Sequence, residues 1–423
     1  MPIRKLYRRA VAVHPELPRY LLAIAMLSVC GGVFENTYNN YLYARFDITG
    51  ETRGYIELVR EFPGLINALL MGALAFLPEA RIAAFSALVT AVGMFGFGIM
   101  GDTLFMMLFF SLFWGVGSHL IMPVRASLTM SLGGANNKGR RLGQVGSVAI
   151  VGSIIGAALV WTIFDLIGGN QGTKHQDIMR IPEWKFDIAF YAAGIACIIG
   201  ALWFFSLRSV GAHAQRQPLV LKRKYWLYYV LNVLFGARKQ VFLTFGRWVL
   251  VEVFKQTPAT FAKLWIVSSS VGVLFNPVIG RLVDRLGERK VLVFDSFVLM
   301  LVCFGYGGAK HLGLPDFWAL MLVFACFIVD QLFFAVGMAR DTYMAKIAES
   351  PRDLTASLSL GISINHLIAM TVPSFGSMLW KAYGYESVFM AAGVVAIMMT
   401  FFASRIRVPH QQETHQSELR AGG

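Results

Sequence analysis

Apolar runs of roughly twenty residues, parted by short polar or charged breaks, recur from Leu21 to Phe402. Each is long enough to cross a bilayer core of about 30 Å as a helix. The breaks define twelve spans near residues 20–44, 54–77, 82–101, 104–131, 143–167, 186–207, 225–254, 261–280, 289–309, 316–345, 357–380 and 386–404. The pattern therefore predicts an all-α polytopic membrane protein with twelve transmembrane helices.

Composition supports that reading. Of 423 residues, 56% are hydrophobic and 15% charged, with a mean hydropathy of +0.59; a soluble chain this apolar would precipitate. Arg4, Lys5, Arg8 and Arg9 precede the first run as in a signal peptide. The run continues too far for one and has no cleavage site, so it reads as an uncleaved anchor. Cys30, Cys197, Cys303 and Cys326 lie inside apolar runs without metal-like spacing. They read as packing residues, and no metal or cofactor is expected.

The net charge of +14 falls in alternate loops. Lys138, Arg140 and Arg141 lie between spans four and five; Arg208, Arg216, Lys222, Arg223 and Lys224 between six and seven; Arg405 and Arg407 after span twelve. Basic loops mark the cytoplasmic side, which puts both termini there in a plasma (inner) membrane. The opposite loop, 168–185, carries mixed charge. Anionic lipid head groups are expected partners; nucleic acid is not.

The stretch 208–224 is the only interior segment that reads as a linker. It divides the chain into 1–207 and 225–404, with a tail at 405–423. The two parts repeat one another: Tyr20 and Gly31 match Tyr225 and Gly236, Gly64 and Gly72 match Gly272 and Gly280, and Arg125 matches Arg340. The offset drifts from 225 − 20 = 205 to 340 − 125 = 215 residues, which indicates duplication into two pseudo-symmetric six-helix bundles. Parallel repeats of this kind are a transporter architecture.

After span eight the chain reads GRLVDRLGERK. With the twelve spans and the basic linker, this resembles the major facilitator superfamily, in which G-x-L-x-D-R-x-G-x-R-K recurs after spans two and eight. The matching residues are Gly280, Leu282, Asp284, Arg285, Gly287, Arg289 and Lys290. The resemblance implies a cytoplasmic gate made by Gly280, Asp284, Arg285, Gly287, Arg289 and Lys290, with Asp284 holding a neighbouring helix end. After span two the pattern is nearly erased: Gly72 survives, Phe76 replaces the acid and Arg81 is the main cation left. Ser111 and Trp114 stand where the family's antiporters often carry Arg and Gln, and Gly152-Ser153 replaces their Gly-Pro pair.

Charged and amide groups at membrane depth are costly, about 3 kcal/mol or more each when unpaired, and so mark cavities or partners. Span one holds Glu35, Asn36, Asn39 and Asn40, paired one turn apart on a polar face. Span two holds Glu57, Arg60, Glu61, Pro63 and Asn67; span seven Arg238, Lys239, Gln240 and Arg247; span ten Asp330 and Asp341; span eleven Ser363, Asn365 and His366; span four His119 and Arg125. Gln240 and Arg247, seven apart, should share a face, with Arg238 turned away into a pair. The substrate-binding candidates are Asn36, Asn39, Asn40, Arg60, Lys239, Gln240, Arg247, Asp330 and His366. Glu35, Glu61 and Asp330 are the proton-coupling candidates. If the acids pair off, two cations remain for the solute.

The expectation is thus a monomeric secondary transporter that moves a small polar, anionic solute by alternating access, driven by protons, an exchanged solute or the gradient of the substrate itself. No nucleotide-binding loop and no metal or nucleophile–base motif appears, which argues against direct ATP drive and against an enzyme. The alternatives are an exporter of amphiphilic compounds and a non-transporting receptor or scaffold.

Overall fold

The computed structural model describes residues 14–132, 138–167, 181–207 and 221–407, without side chains at 138–140, 351–352, 355–356 and 359. The linker from 208 to 220, the opposite loop from 168 to 180, the tail beyond Arg407 and the side chains of Lys138 and Arg140 lie outside that description.

All twelve spans form. Span one is Leu17–Phe46, span two Gly50–Leu65 and Asn67–Ala73, span three Glu79–Met100, and span four Leu104–Ser131. Span five is Lys138–Trp161 with a π turn at Thr162–Leu166, and span six is Glu183–Phe205. Span seven is Trp226–Val241, a π turn at Phe242–Gly246, then Arg247–Glu252. Span eight is Pro258–Leu286, span nine Glu288–Gly308, span ten Asp316–Phe333 and Gly337–Ile347, span eleven Pro351–Tyr383, and span twelve Tyr385–Ala403. Ten of these are long and apolar enough, taken singly, to cross a bilayer. The remaining two, spans two and seven, are the broken, charged ones.

The breaks have local causes. Pro63 removes a backbone donor, and the helix gives way at Ile66, whose N–H reaches back to Phe62 and Gly64. In span seven the π turn inserts an extra residue per turn. That shift corrects the sequence expectation that Gln240 and Arg247 share a face, because the spacing of seven holds only for an unbroken α-helix. Gln240 donates to Thr244 at 3.2 Å inside the turn.

The spans pack as two six-helix bundles. Large apolar side chains such as Leu69, Phe105, Leu274 and Phe317 are exposed on the outside, the lipid-facing belt expected of an integral membrane protein. The buried core is unevenly divided. On the face where spans six and twelve begin, one apolar cluster runs through both halves, from Phe34, Tyr38 and Phe97 to Phe245, Trp248 and Phe389. On the face that carries the linker ends, one cluster around Tyr20, Leu128 and Phe204 belongs to the first half. Another, around Tyr228, Leu292 and Met344, belongs to the second. The halves are therefore joined on the far face and separate on the linker face.

Candidate functional site: a cavity between the halves

The far-face joint consists of specific polar contacts. Asn40 donates to the Gln256 carbonyl at 2.7 Å, Glu252 accepts from the Gly50 N–H at 2.6 Å, and Ser377 accepts from the Gly54 N–H at 2.8 Å. Glu35 of span one pairs with Arg247 of span seven. Lys263 pairs with Asp165 at 2.6 Å, and Trp265 donates to Ser153 at 3.3 Å. A Cβ on Gly54 would stand 1.9 Å from the Pro373 carbonyl oxygen, so spans two and eleven meet backbone to backbone.

Below this joint a cavity of about 530 Å³ occupies the linker-face half of the molecule. Its walls are mostly apolar and include Ile24, Leu27, Ile121, Met122 and Ile150; Trp114 and Trp265 stand at its inner end. Trp114 stacks on Phe34 with centroids 3.9 Å apart. Each tryptophan carries an arginine on its face: Arg60 lies 5.6 Å from the Trp114 ring and Arg247 lies 5.5 Å from the Trp265 ring. Glu35 reaches the inner end and Arg125 the outer wall.

Behind the tryptophans lies a network that sequence reasoning saw only in part. Glu57 is fully buried and pairs with Arg53 at 2.6 Å and Arg60 at 2.5 Å. Arg60 also meets Glu61 at 2.9 Å. Arg53 was missed because span two was expected to begin at residue 54; the helix begins at Gly50. Arg53 donates to the Asn39 amide oxygen at 2.9 and 3.1 Å. Asn36 donates to the Gly32 carbonyl at 2.7 Å. All three candidate asparagines are thus buried in helix packing and absent from the cavity wall.

In the second half Arg238 and Asp330 form a buried ion pair at 2.5 Å. Asp295 of span nine, also missed, is 1% exposed beside it, and neither of its carboxylate oxygens has a hydrogen-bond partner. Lys239 is half-buried. It is attracted by Glu61 and repelled by Arg340, Arg238 and Arg60, and makes no hydrogen bond or ion pair among the described residues. His366 lies with His119 against Glu61.

The motif after span eight differs from a turn in water. Span eight stays helical to Leu286, so Gly280 lies inside the helix, and only Gly287, at φ 78°, turns the chain. Asp284, Arg285, Arg289 and Lys290 are exposed. Asp284 makes no ion pair among the described residues; Glu288 instead holds Lys346 of span ten at 2.6 Å.

Two helical bundles joined at one face and separate at the other, with a cavity lined by the first half and by Trp265 of the second, define a transporter-type fold. The sequence profile of the Major Facilitator Superfamily matches residues 20–359, and the chain belongs to that family. Among solved structures, the nucleoside transporter NupG is similar at TM-score 0.70 and 14% identity, covering 92% of this chain and 98% of its own. A bacterial homolog of the human lysosomal transporter Spinster, inward-facing and occupied, gives 0.70 and 15%, covering 95% and 97%. The D-xylose-proton symporter gives 0.68 and 14%, covering 95% and 98%. At such identities the likeness is one of fold. No curated protein matches the chain.

Proposed function

We propose that this protein is a secondary transporter of an anionic solute with an apolar body, held here with its cavity open to the cytoplasm. The observation that carries the reading is the pairing of apolar walls and two tryptophans with cations that no ion pair neutralises among the described residues: Arg125 on the cavity's outer wall and Lys239 beside Glu61 and Arg60. Arg53, Arg60 and Arg247 are matched by Glu57, Glu61 and Glu35. Lys239 and Arg125 have no ion pair among the described residues, and an uncompensated charge at membrane depth favours a counter-charged ligand. The apolar wall moves the solute from the small polar anion expected from sequence toward a carboxylate or phosphate on a larger apolar frame.

The linker face is assigned to the cytoplasm because the basic loops fall there. The halves 1–207 and 225–404 are read as the rocking units, with 208–224 as their tether. That the same fold serves a proton symporter and a nucleoside transporter supports alternating access as the mode of work.

The test is a thermal-shift and vesicle-flux series that compares aryl or alkyl carboxylates with their amide analogues. Lys239→Ala and Arg125→Ala should abolish the shift from the acids while the proteins stay monodisperse. An amide analogue that binds as well as its acid would leave the apolar wall as the whole recognition surface and favour the amphiphile-exporter reading. If no solute moves across the panel, the transport reading fails.

A further inference from the structure

Spans two, four and eleven bring three titratable side chains to one point where the halves meet. Glu61 Oε2 lies 3.3 Å from His119 Nε2 and 3.5 Å from His366 Nδ1. The two imidazoles meet edge to face with centroids 4.8 Å apart. Gly64 makes the convergence possible, because a Cβ there would stand 2.5 Å from His366 Nδ1 and 2.8 Å from His119 Nε2.

The hydrogen bonding fixes what this point must hold. His119 Nδ1 lies 2.7 Å from the Gly115 carbonyl oxygen. A carbonyl only accepts, so Nδ1 carries the hydrogen and neutral His119 turns the bare lone pair of Nε2 toward Glu61. A carboxylate oxygen facing an imidazole lone pair is repulsive unless a cation sits between them. We propose that Glu61, His119 and His366 share one proton, and that this proton ties the two halves together in the state seen here. The inference rests on the alternating-access reading and names the coupling site within it.

The balance is simple. One proton from water adds to the cluster and is shared as N–H···O among His119 Nε2, His366 Nδ1 and the Glu61 carboxylate, and the His366–Glu61 leg is the one that crosses between the halves; its departure restores the carboxylate and the lone pair. Glu61 and His366 keep 12% and 14% side-chain exposure, which gives the proton a path. A divalent metal fits less well. Arg60 already holds the other Glu61 oxygen at 2.9 Å, and Lys239 adds charge from span seven. The three ligand atoms also spread to as much as 4.8 Å, whereas opposed ligands of zinc stand no more than about 4.2 Å apart. The other charges on the cluster are Glu57, paired with Arg60, and Glu35 of span one, which feels both Arg60 and Glu61.

The ion pairs of Lys222 with Asp353 and Lys224 with Glu349 on the linker face do not compete as a source of pH response. The hydrogen bond from Lys224 holds Glu349 below the usual carboxylate range, and the bond to Asp353 holds Lys222 above the usual amine range. The Glu349 contribution is lost only as pH falls through its lowered value, and that of Lys222 only as pH rises through its raised one. Both therefore stay charged across about pH 5.5 to 8.5.

The test is a spin-label distance measured between Leu142→Cys and Ala345→Cys, on the linker-face ends of spans five and ten, in lipid nanodiscs. The four native cysteines are buried and stay unlabelled. Raising the pH from about 5.5 to 8.5 should move the open-to-closed ratio at this face toward closed by about tenfold, the effect of losing one charge-assisted hydrogen bond. Glu61→Gln should hold the open state at every pH, because its amide nitrogen carries two hydrogens and donates to His119 and across the halves to His366 as the shared proton does. His366→Ala should lose the pH response and favour the closed state. A ratio that does not change with pH, or Glu61→Gln and His366→Ala behaving alike, overturns the proposal. So does Zn²⁺ or Co²⁺ binding that depends on the three residues, since a metal would then occupy the point. Because the readout is a distance, the pH response persists even if no solute is carried, and a failure of the transport reading shows up separately.

Discussion

Replacing Asp330 by Asn asks whether its carboxylate is structural or a carrier. Arg238 is fully buried and its side chain has no exposure; Asp330 has 3%. Two of the guanidinium nitrogens, Nε and Nη2, already have no hydrogen-bond partner among the described residues, so the 2.5 Å contact to Asp330 is the main compensation for burying a charge. Breaking a buried pair by removing one partner costs about 3–5 kcal/mol, because the remaining charge is left uncompensated. The aromatic faces of Phe235, Phe242 and Phe334, 5.3 to 5.8 Å from the guanidinium, and the Asp295 carboxylate nearby soften that loss. The expected cost therefore lies at the low end, about 3 kcal/mol. Unfolding in mixed micelles with increasing denaturing detergent gives the free energy. Asp330→Asn and Arg238→Met should each lose about that amount, and the double variant should recover at least half of it through coupling. Were Asp330→Asn to lose less than about 1 kcal/mol while abolishing transport, the pair would be dispensable to the fold, and Asp330 would belong to the solute or proton path.

Gly54→Val would push span two off the Pro373 carbonyl and open the far-face joint; a cysteine at Gln256 should then react about tenfold faster with a water-soluble maleimide added on that face. Unchanged labelling in a folded protein would show that spans two and eleven separate elsewhere. Asp284→Asn should leave stability in the present state unchanged, since Asp284 has no ion pair here. It should slow turnover by weakening the opposite, linker-face-closed state; equal losses of binding and turnover would show that Asp284 is no gate.

The span count was legible in the sequence because length and hydropathy alone set it, and the division into halves because matching residues recur at a nearly constant offset. Within helices, the pairs of Arg60 with Glu57 and Glu61 were legible, being close in sequence. The contacts that join the halves were not. Glu35 with Arg247, and Glu61 with His119 and His366, depend on how two bundles face each other, and nothing in helical periodicity encodes that. The π turn in span seven has no composition signal, and it defeats face arguments that assume an unbroken helix. Asp295 carried a signal that went unused: a lone acid inside the apolar run Val-Leu-Val-Phe-Asp-Ser-Phe.

The distribution of charge accounts for why the molecule rests in this state. On the far face the halves are joined by the Glu35–Arg247 pair, by backbone contacts at Gly50 and Gly54, and by a shared aromatic core. On the linker face the ion pairs of Lys222, Lys224 and Lys346 each tie segments of the second half to one another and leave the first half free. Closing that face requires new contacts from groups now exposed, of which Arg281, Asp284, Arg285, Arg289 and Lys290 are the charged ones at the span eight–nine turn. Opening the far face requires Glu35 and Arg247 to part, which leaves each charge needing a new partner. On the proposed reading, an anionic solute beside Trp265 would offer Arg247 such a partner, and its binding would then favour release of the far-face joint.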